Sequence, residues 1–401
     1  MTNIKSIKVL NTPKSIKGAI TIIMALVMLA LALASTIYTA KSKFLDIRIA
    51  SAEIRKNQAI LSAETGLERA IAQLDVQPNF VPEPGYSTSI VDTIDSSIFD
   101  VTLTVMRYAT AAVANTPLAT FGNGTGNDRF ILISSIGYSD DRTAVRTLEQ
   151  KVWVHPLANG SPASAITVSG GMGIGGTFTV GASPNGGGLG VPLSVWSDEP
   201  VGVTGNGASC GLEEFDAGDC STYSYSDKNN TGADIFDDTL VSAGGTFPND
   251  VFDYTFGYPS SDYQAYKDQA EELVSNCAGL NAASVGLIWV TGDCTINGGT
   301  IVGSATTPVI LVIEDSNLQL NGGSLIYGIV FSFTTPGGIG GGISMTGNST
   351  IRGAFLSDHA IDISGGTFDT RYDQNVLDII ANGGSDAYSA VEPISGSWKD
   401  F

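Results

Sequence analysis

The sequence is short of basic charge and of histidine: 20 Lys+Arg stand against 40 Asp+Glu, and there are two histidines in 401 residues. A surface this acidic repels phosphate backbones and anionic headgroups, which argues against nucleic acid as a partner. Of the two histidines, His155 precedes a proline, and His359 follows Asp358 where a carbonyl or solvent suits it better than catalysis. There is no Gly-x-Ser-x-Gly elbow to carry a serine nucleophile and no Gly-x-x-x-x-Gly-Lys loop to cradle a phosphate. The four cysteines, Cys210, Cys220, Cys277 and Cys294, form no Cys-x-x-Cys pair, so zinc is not expected. The chain therefore reads as a non-enzyme that needs no cofactor.

What is present begins at the N-terminus. The stretch 19–40, AITIIMALVMLALALASTIYTA, carries no charge, and about 20 such residues span a bilayer as a helix. Lys5, Lys8, Lys14 and Lys17 precede it with no acid among the first eighteen residues; without that leader, 16 basic residues would face 40 acidic ones. The stretch is too long for a secretory h-region and no A-x-A site follows it cleanly, so a retained helix is expected. Helical spacing continues through Phe44, Leu45, Ile47, Ile54, Ile60, Leu61, Leu67, Ile71 and Leu74, with no proline after the leader until Pro78. A single helix over 19–75 would be about 80 Å long. Its first half is apolar all round and its second half amphipathic. Export to an oxidising compartment favours disulfides. Pairing neighbours, Cys210 with Cys220 and Cys277 with Cys294, closes two short loops and is preferred; four reduced, buried thiols are the alternative.

Beyond the helix, 76–95 mixes proline, serine and glycine and reads as a loop. The stretches 99–108, 130–138 and 144–154 alternate as strands, with Asp140-Asp141 turning between the last two. A long helix on an antiparallel sheet is an α+β module over 19–155. After His155-Pro156 the chain becomes glycine-rich, with 48 glycines in all and no collagen period. Within 163–401, Leu318–Ser332 (LQLNGGSLIYGIVFS) repeats as Ile343–Ser357 (ISMTGNSTIRGAFLS) at a constant offset. Fragments recur at Ile296–Ile301, Ile363–Phe368 and Val168–Gly171. A unit of strand, glycine corner and strand cannot bury its own apolar face, but stacked units can. A parallel β-helix or solenoid over 285–370, joined by 163–205, is expected, with a glycine-rich β-sandwich as the alternative. The segment 206–284 reads as an insertion, with 263–277 a helix capped by Ser261.

The junction Lys17-Gly18-Ala19 after a basic leader resembles a type III prepilin signal. The stretch Asn57-Gln58-Ala59-Ile60-Leu61-Ser62-Ala63-Glu64-Thr65-Gly66-Leu67 and the ending Gly396-Ser397-Trp398-Lys399-Asp400-Phe401 are similar to those of PilX-type minor pilins. The resemblance implies cleavage after Gly18 by a prepilin peptidase and N-methylation of Ala19. It implies a single pass of the inner membrane, then a place in a type IV pilus at the cell surface. The implied partners are other pilins, minor pilins and the inner-membrane assembly platform. Ile23 stands where major pilins carry glutamate, as in GspK-type pseudopilins, which points to a minor or tip subunit presenting a large adhesion or interaction domain. An uncleaved signal anchor is the plainer alternative.

Two further groups bear chemistry. Asp227, Asn229, Thr231 and Asp238 fall at positions 1, 3, 5 and 12 of an EF-hand-like loop with Gly232 at 6; calcium is the one metal expectation, against a plain acidic turn. Asp358, Asp362, Asp369 and Asp373 are the carboxylates that a glycan-cleaving β-helix would use, against a solvated acidic face. The competing functions are thus a minor pilin, a membrane-anchored periplasmic glycan-binding or glycan-cleaving protein, and a type II secretion pseudopilin.

Overall fold

A computed structural model describes residues 17–78, 87–90, 99–108, 129–188, 190–238, 246–363, 366–383 and 386–401. The basic leader up to residue 16 lies outside the described residues.

One helix, α1 (Lys17–Val76), runs for 60 residues. Among the described residues it is the one helix long and apolar enough to cross a membrane, with a window of mean hydropathy 2.6 that nothing in the chain covers. Its second half packs on a sheet, but through smaller residues than the periodicity suggests. The buried stripe is Ala59, Ala63, Leu67, Ala70 and Leu74, whereas Phe44, Leu45, Ile47, Ile54 and Leu61 stay exposed. Small residues win because the backbones nearly touch: a Cβ on Gly137 would lie 2.2 Å from Ala59 O and from Ala63 N. Gly66 answers from the helix side, where a Cβ would meet Ser135 Oγ at 2.3 Å.

The sheet under α1 comprises β1 (Ser87–Ile90), β2 (Phe99–Tyr108), β3 (Arg129–Tyr138) and β4 (Val145–Pro156), antiparallel throughout. Phe99, Val101, Leu103, Ile131, Ile133, Leu148, Val152 and Val154 face the helix. Arg55 of α1 pairs with Asp141 in the β3–β4 turn at 3.0 Å. Asp141 also accepts from Thr143 and Ser139, and these hydrogen bonds hold its carboxyl down to about 2. Arg129, at the start of β3, is buried.

The sheet is completed by the far end of the chain. Strand β24 (Ser389–Pro393) pairs with β4, Ser389 opposite Pro156, and β25 (Lys399–Asp400) pairs with Glu149 and Leu148. Residues 389–400 therefore belong to the helix-bearing sheet and not, as their position suggests, to the glycine-rich region. Everything from 157 to 388 is inserted between two neighbouring strands, and its ends meet where Leu157 N donates to Tyr388 O at 2.8 Å. Trp398 and Phe401 are exposed; the backbone holds the end of the chain, Phe401 N donating to Thr147 O at 3.0 Å.

The inserted region is built of parallel stacks. In the first, β13 (Glu272–Val274), β14 (Gly286–Val290), β17 (Val309–Glu314), β19 (Leu325–Phe333), β21 (Thr350–Ser357), β5 (Ile166–Val168), β8 (Val195–Ser197) and β12 (Ile235–Asp237) lie side by side, all parallel. One row across seven of these strands is Ile288, Leu311, Val330, Phe355, Ile166, Val195 and Ile235, every one buried. Each such side chain contributes about 1.5–3 kcal/mol of apolar burial. The repeat read from sequence is the pairing register itself: Leu318 meets Ile343 and Ser332 meets Ser357. Gly328 and Gly353, equivalent in that repeat, both sit at φ 139°, and a Cβ on Gly328 would fall 1.8 Å from Val309 O.

A second set joins β15 (Cys294–Ile296), β18 (Leu318–Leu320) and β20 (Ile343–Met345), and separately β22 (Ile361–Ile363), β6 (Met172–Ile174) and β9 (Val201–Val203). A third runs from β16 (Ile301–Val302) through the first halves of β19 and β21 to β23 (Thr367–Tyr372), β7 (Thr177–Gly181) and β10 (Gly207–Cys210). The sheets are mixed, since β11 (Ser226–Asp227) runs antiparallel to β10, and the pairings do not join them into one closed sheet.

The order of strands is not the order of the chain. From 157 the chain starts in the middle of the first stack and moves outward through β5, β8 and β12. It returns through 246–284, which holds α3 (Val251–Phe256) and α4 (Tyr263–Lys267), to begin again at the opposite end. The segment 206–284 is thus not a side insertion: its first part extends the stacks. The helix expected over 263–277 stops at Lys267, because Glu272–Val274 pairs with β14 and Cys277 is tied to Cys294. Phe252, Phe256 and Tyr266 from this return segment pack against Trp289, Phe331 and Phe333. A last helix, α5 (Gln374–Ala381), starts at Asp373, whose carboxylate accepts from Val376 N.

Candidate binding cleft

The third stack carries a cleft of about 550 Å³ on its outer face, within the range of small-ligand sites. Its floor follows from strand alternation. Phe368, Thr370, Phe178 and Val180 are buried, so Asp369 and Thr179 between them face outward. Register aligns Thr350, Asp369, Thr179, Ala208 and Asp227 in one row across five strands. Thr177 and Asn206 line the same cleft beside that row.

One wall is a short helix, α2 (Leu212–Ala217), bracketed by the Cys210–Cys220 disulfide and capped by Gly218 at φ 75°. It presses Phe215 against Gly181, where a Cβ would come within 3.2 Å of the ring. Asp216 pins it to the sheet. Arg352 and Arg371 are register neighbours whose like charges would repel. Asp216 answers both, at 3.6 Å from Arg352 and 2.7 Å from Arg371. The Arg371 hydrogen bonds hold the Asp216 carboxyl below the usual range, and Asp216 in turn raises Arg371. The opposite rim is the turn 227–230, where Asp227 Oδ1 accepts from Asn229 N at 2.7 Å and Asn230 N at 3.0 Å. Lys228 Nζ reaches Asn206 Oδ1 at 2.6 Å. The buried Asp234 accepts from the hydroxyls of Ser194, Ser209 and Ser226 at 2.5–2.6 Å and ties β10 and β11 to the residue before β8.

Asp369 is a half-buried carboxylate of the floor. Burial pushes its carboxyl above the ordinary value, against the opposing pull of hydrogen bonds from Thr179. Its Oδ1 is out of contact with solvent and has no hydrogen-bond partner. An acceptor left in that state costs about 1–3 kcal/mol.

The residues singled out in the sequence are dispersed. Gly18 and Ala19 lie in the first turn of α1, and Ile23 is exposed on it. The cysteines pair as Cys210–Cys220 and Cys277–Cys294. Of the EF-hand-like positions, Asp227 and Asn229 line the cleft. Thr231 is exposed, and Asp238 is buried, accepting from Thr246 N and Phe247 N at 2.7 and 3.0 Å. Among the described residues no three His, Cys, Asp or Glu side chains group to hold a metal ion. The four candidate glycan-cleaving carboxylates do not converge either. Asp373 caps α5 and pairs with Arg371, Asp362 is exposed on β22, and Asp358 contacts His359 Nδ1 at 3.1 Å. His359 Nε2 lies 3.1 Å from Gly341 O, so the ring is satisfied on both sides and bridges loops.

Phe215, Thr179 and Thr350 were not apparent as site residues. A sequence clue existed for Thr179: Gly175-Gly176-Thr177-Phe178 and Gly365-Gly366-Thr367-Phe368 are the same four residues, and Thr367 pairs with Thr177.

No protein-family model matches this chain, and no curated protein sequence does. Among solved structures it is similar to the crystal structure of the competence-associated pilin ComZ from Thermus thermophilus. The match has 12% identity over 86% of this chain and 98% of that one, at a TM-score of 0.23. A superposition that loose pairs no individual positions.

Proposed function

We propose that this chain is a minor pilin-like subunit, held in the inner membrane by the first half of α1 before it enters a type IV pilus or a related filament. The observation that carries the reading is one helix with two environments. Residues 20–40 carry no charge and are exposed throughout, while Ala59, Ala63, Leu67, Ala70 and Leu74 pack on an antiparallel sheet. Bare apolar surface on that scale requires lipid or a helical filament core to cover it. The close approach of Gly66 to Ser135 and Val101 gives a structural reason for the glycine in the PilX-like stretch.

In this reading a prepilin peptidase cleaves after Gly18, Ala19 becomes the methylated terminus, and the assembly platform and other pilins are the partners. Ile23 places a hydrocarbon where a carboxylate would otherwise need a buried partner, which suits a subunit at or near the tip. We also infer that the three parallel stacks are faces of one β-solenoid, whose turns are read in the order 286–372 and then 163–237. The constant repeat register and the glycine pair at Gly328 and Gly353 support it. The inserted body is then a non-catalytic adhesion or interaction domain carried on two neighbouring strands.

The test is mass spectrometry of the membrane-extracted protein together with its content in sheared fibres. A methylated Ala19 terminus and presence in fibres are expected. An intact Met1 terminus, or absence from every sheared filament, would sink the reading. Co-purification with a secretin-linked apparatus alone would assign it to a secretion filament.

A further inference from the structure

We infer that the cleft between the β7–β10–β23 face and the disulfide-bracketed helix α2 binds a neutral saccharide of about one or two rings. The inference rests on the reading above only in that the inserted body is displayed outside the cell.

Three features point to this ligand class. The lining mixes acceptors and donors of both kinds, with hydroxyls at Thr179 and Thr350, amides at Asn206 and a carboxylate at Asp369. A sugar hydroxyl donates and accepts at once, so it complements such a surface; a simple cation or anion uses half of it. Lys228 against the two carboxylates also leaves the cleft little net charge to select an ion. Phe215 supplies an apolar face beside the polar row, and the C–H face of a pyranose is the part of a sugar that covers an aromatic ring. The third feature is pre-organisation. The Cys210–Cys220 bridge and the Arg352–Asp216–Arg371 cluster fix α2 before any ligand arrives, which lowers the ordering cost of binding. The Asp369 oxygen without a partner is a further place for a hydroxyl donor; reaching it requires a small side-chain adjustment, because it is closed to solvent in the free protein.

The row Thr350, Asp369, Thr179 lies on three laterally paired strands, and neighbouring parallel strands are about 4.8 Å apart. Hydroxyl and carboxyl groups at that interval can be bridged by successive ring hydroxyls.

The experiment uses the full chain in detergent micelles, titrated by saturation-transfer NMR and calorimetry with maltose, lactose, cellobiose and chitobiose. Calcium chloride and spermidine are run as separate arms. Binding of at least one disaccharide is expected. It should weaken at least tenfold in Asp369→Asn and in Phe215→Ala, and by a smaller factor in Asp227→Asn on the exposed rim. Ser304→Ala, on a distant loop, should bind as the parent does. Circular dichroism and melting temperature show whether a variant is folded, and the rim variant keeps the inference testable if a floor variant is not. No binding across the four sugars overturns the inference, as does sugar binding indifferent to both Asp369→Asn and Asp227→Asn. Binding of calcium or spermidine alone overturns it in favour of a cation site. Failure here with normal content in sheared fibres leaves the pilin reading standing; sugar binding by a protein absent from fibres does the reverse.

Discussion

Gly328 tests the stacking most directly. Its φ of 139° lies where side chains other than glycine's are strained, at about 1–3 kcal/mol. An added Cβ would sit 1.8 Å from Val309 O and 2.8 Å from Val309 N, so β17 and β19 would have to part by more than an ångström. Forcing atoms into a packed core adds about 1–3 kcal/mol. Gly328→Ala is therefore expected to cost about 2–6 kcal/mol in all. Two controls separate the contributions. Gly299, at φ 76° with nothing within 4 Å of an added Cβ, should cost only the left-handed backbone, about 1–2 kcal/mol. Gly202, with open space and ordinary backbone, should change stability by about 0.5 kcal/mol or less when replaced by alanine. Urea unfolding of the full chain in micelles, followed by near-UV circular dichroism, ranks the three. If Gly328→Ala unfolds alongside Gly202→Ala, the parallel contact between β17 and β19 is not as described.

Glu314 accepts from Lys267 and from Trp289 Nε1, both at 2.5 Å, with Lys267 and Glu314 about seven-eighths buried. Glu314→Ala should cost about 3–5 kcal/mol, and Lys267→Met with Glu314→Leu should recover more than half of it, since removing both charges removes the stranded one; urea midpoints decide. Gly137→Val should cost about 3 kcal/mol by lifting α1 off its sheet, seen as faster hydrogen exchange over 99–103 and 59–74. The histidines should bend the pH–stability curve in opposite directions. Burial, only partly offset by Glu392, keeps His155 below its ordinary 6.5, so the folded state binds fewer protons and stability falls as pH drops below 6.5. For His359, burial lowers the value but Asp358 and the Gly341 carbonyl outweigh it and raise it, so its contribution is present below 6.5 and is lost as pH rises through the raised value. Melting curves from pH 5 to 8 should flatten on the acid side in His155→Phe and on the neutral side in His359→Gln.

Much was legible in the sequence because it is local. An uncharged stretch over 19–40 continued by helical spacing without proline determines a long helix, alternation determines strands β2 to β4, and a constant offset between Leu318–Ser332 and Ile343–Ser357 determines the register of one strand on the next. The pairing of neighbouring cysteines follows the same logic of short loops. The misplacements arose where distant segments meet. Leu67 and Leu74 lie in the helix stripe as their spacing suggests, but beside Gly137 the stripe is Ala59 and Ala63, because the close backbone approach there selects for small size and hydropathy does not encode distance. The end of Tyr263–Lys267 was set by a strand partner and a disulfide, each overriding helical spacing.

The cleft shows the division most clearly. Each of Thr179, Asp369, Thr350 and Phe215 is unremarkable in its own stretch, and Asp369 looked like one more surface carboxylate. Parallel pairing of 350, 369 and 179, and the folding of 212–217 over Gly181, set them side by side. The sequence alone determined a long helix, uncharged over 19–40, and a repeat whose units pair in register. Only the tertiary structure decided that the stack is an insertion between β4 and β24, and that its beginning is laid against its end. The reason is that strand order depends on which edges are left unpaired once every repeat has buried its apolar face, and no single segment carries that information.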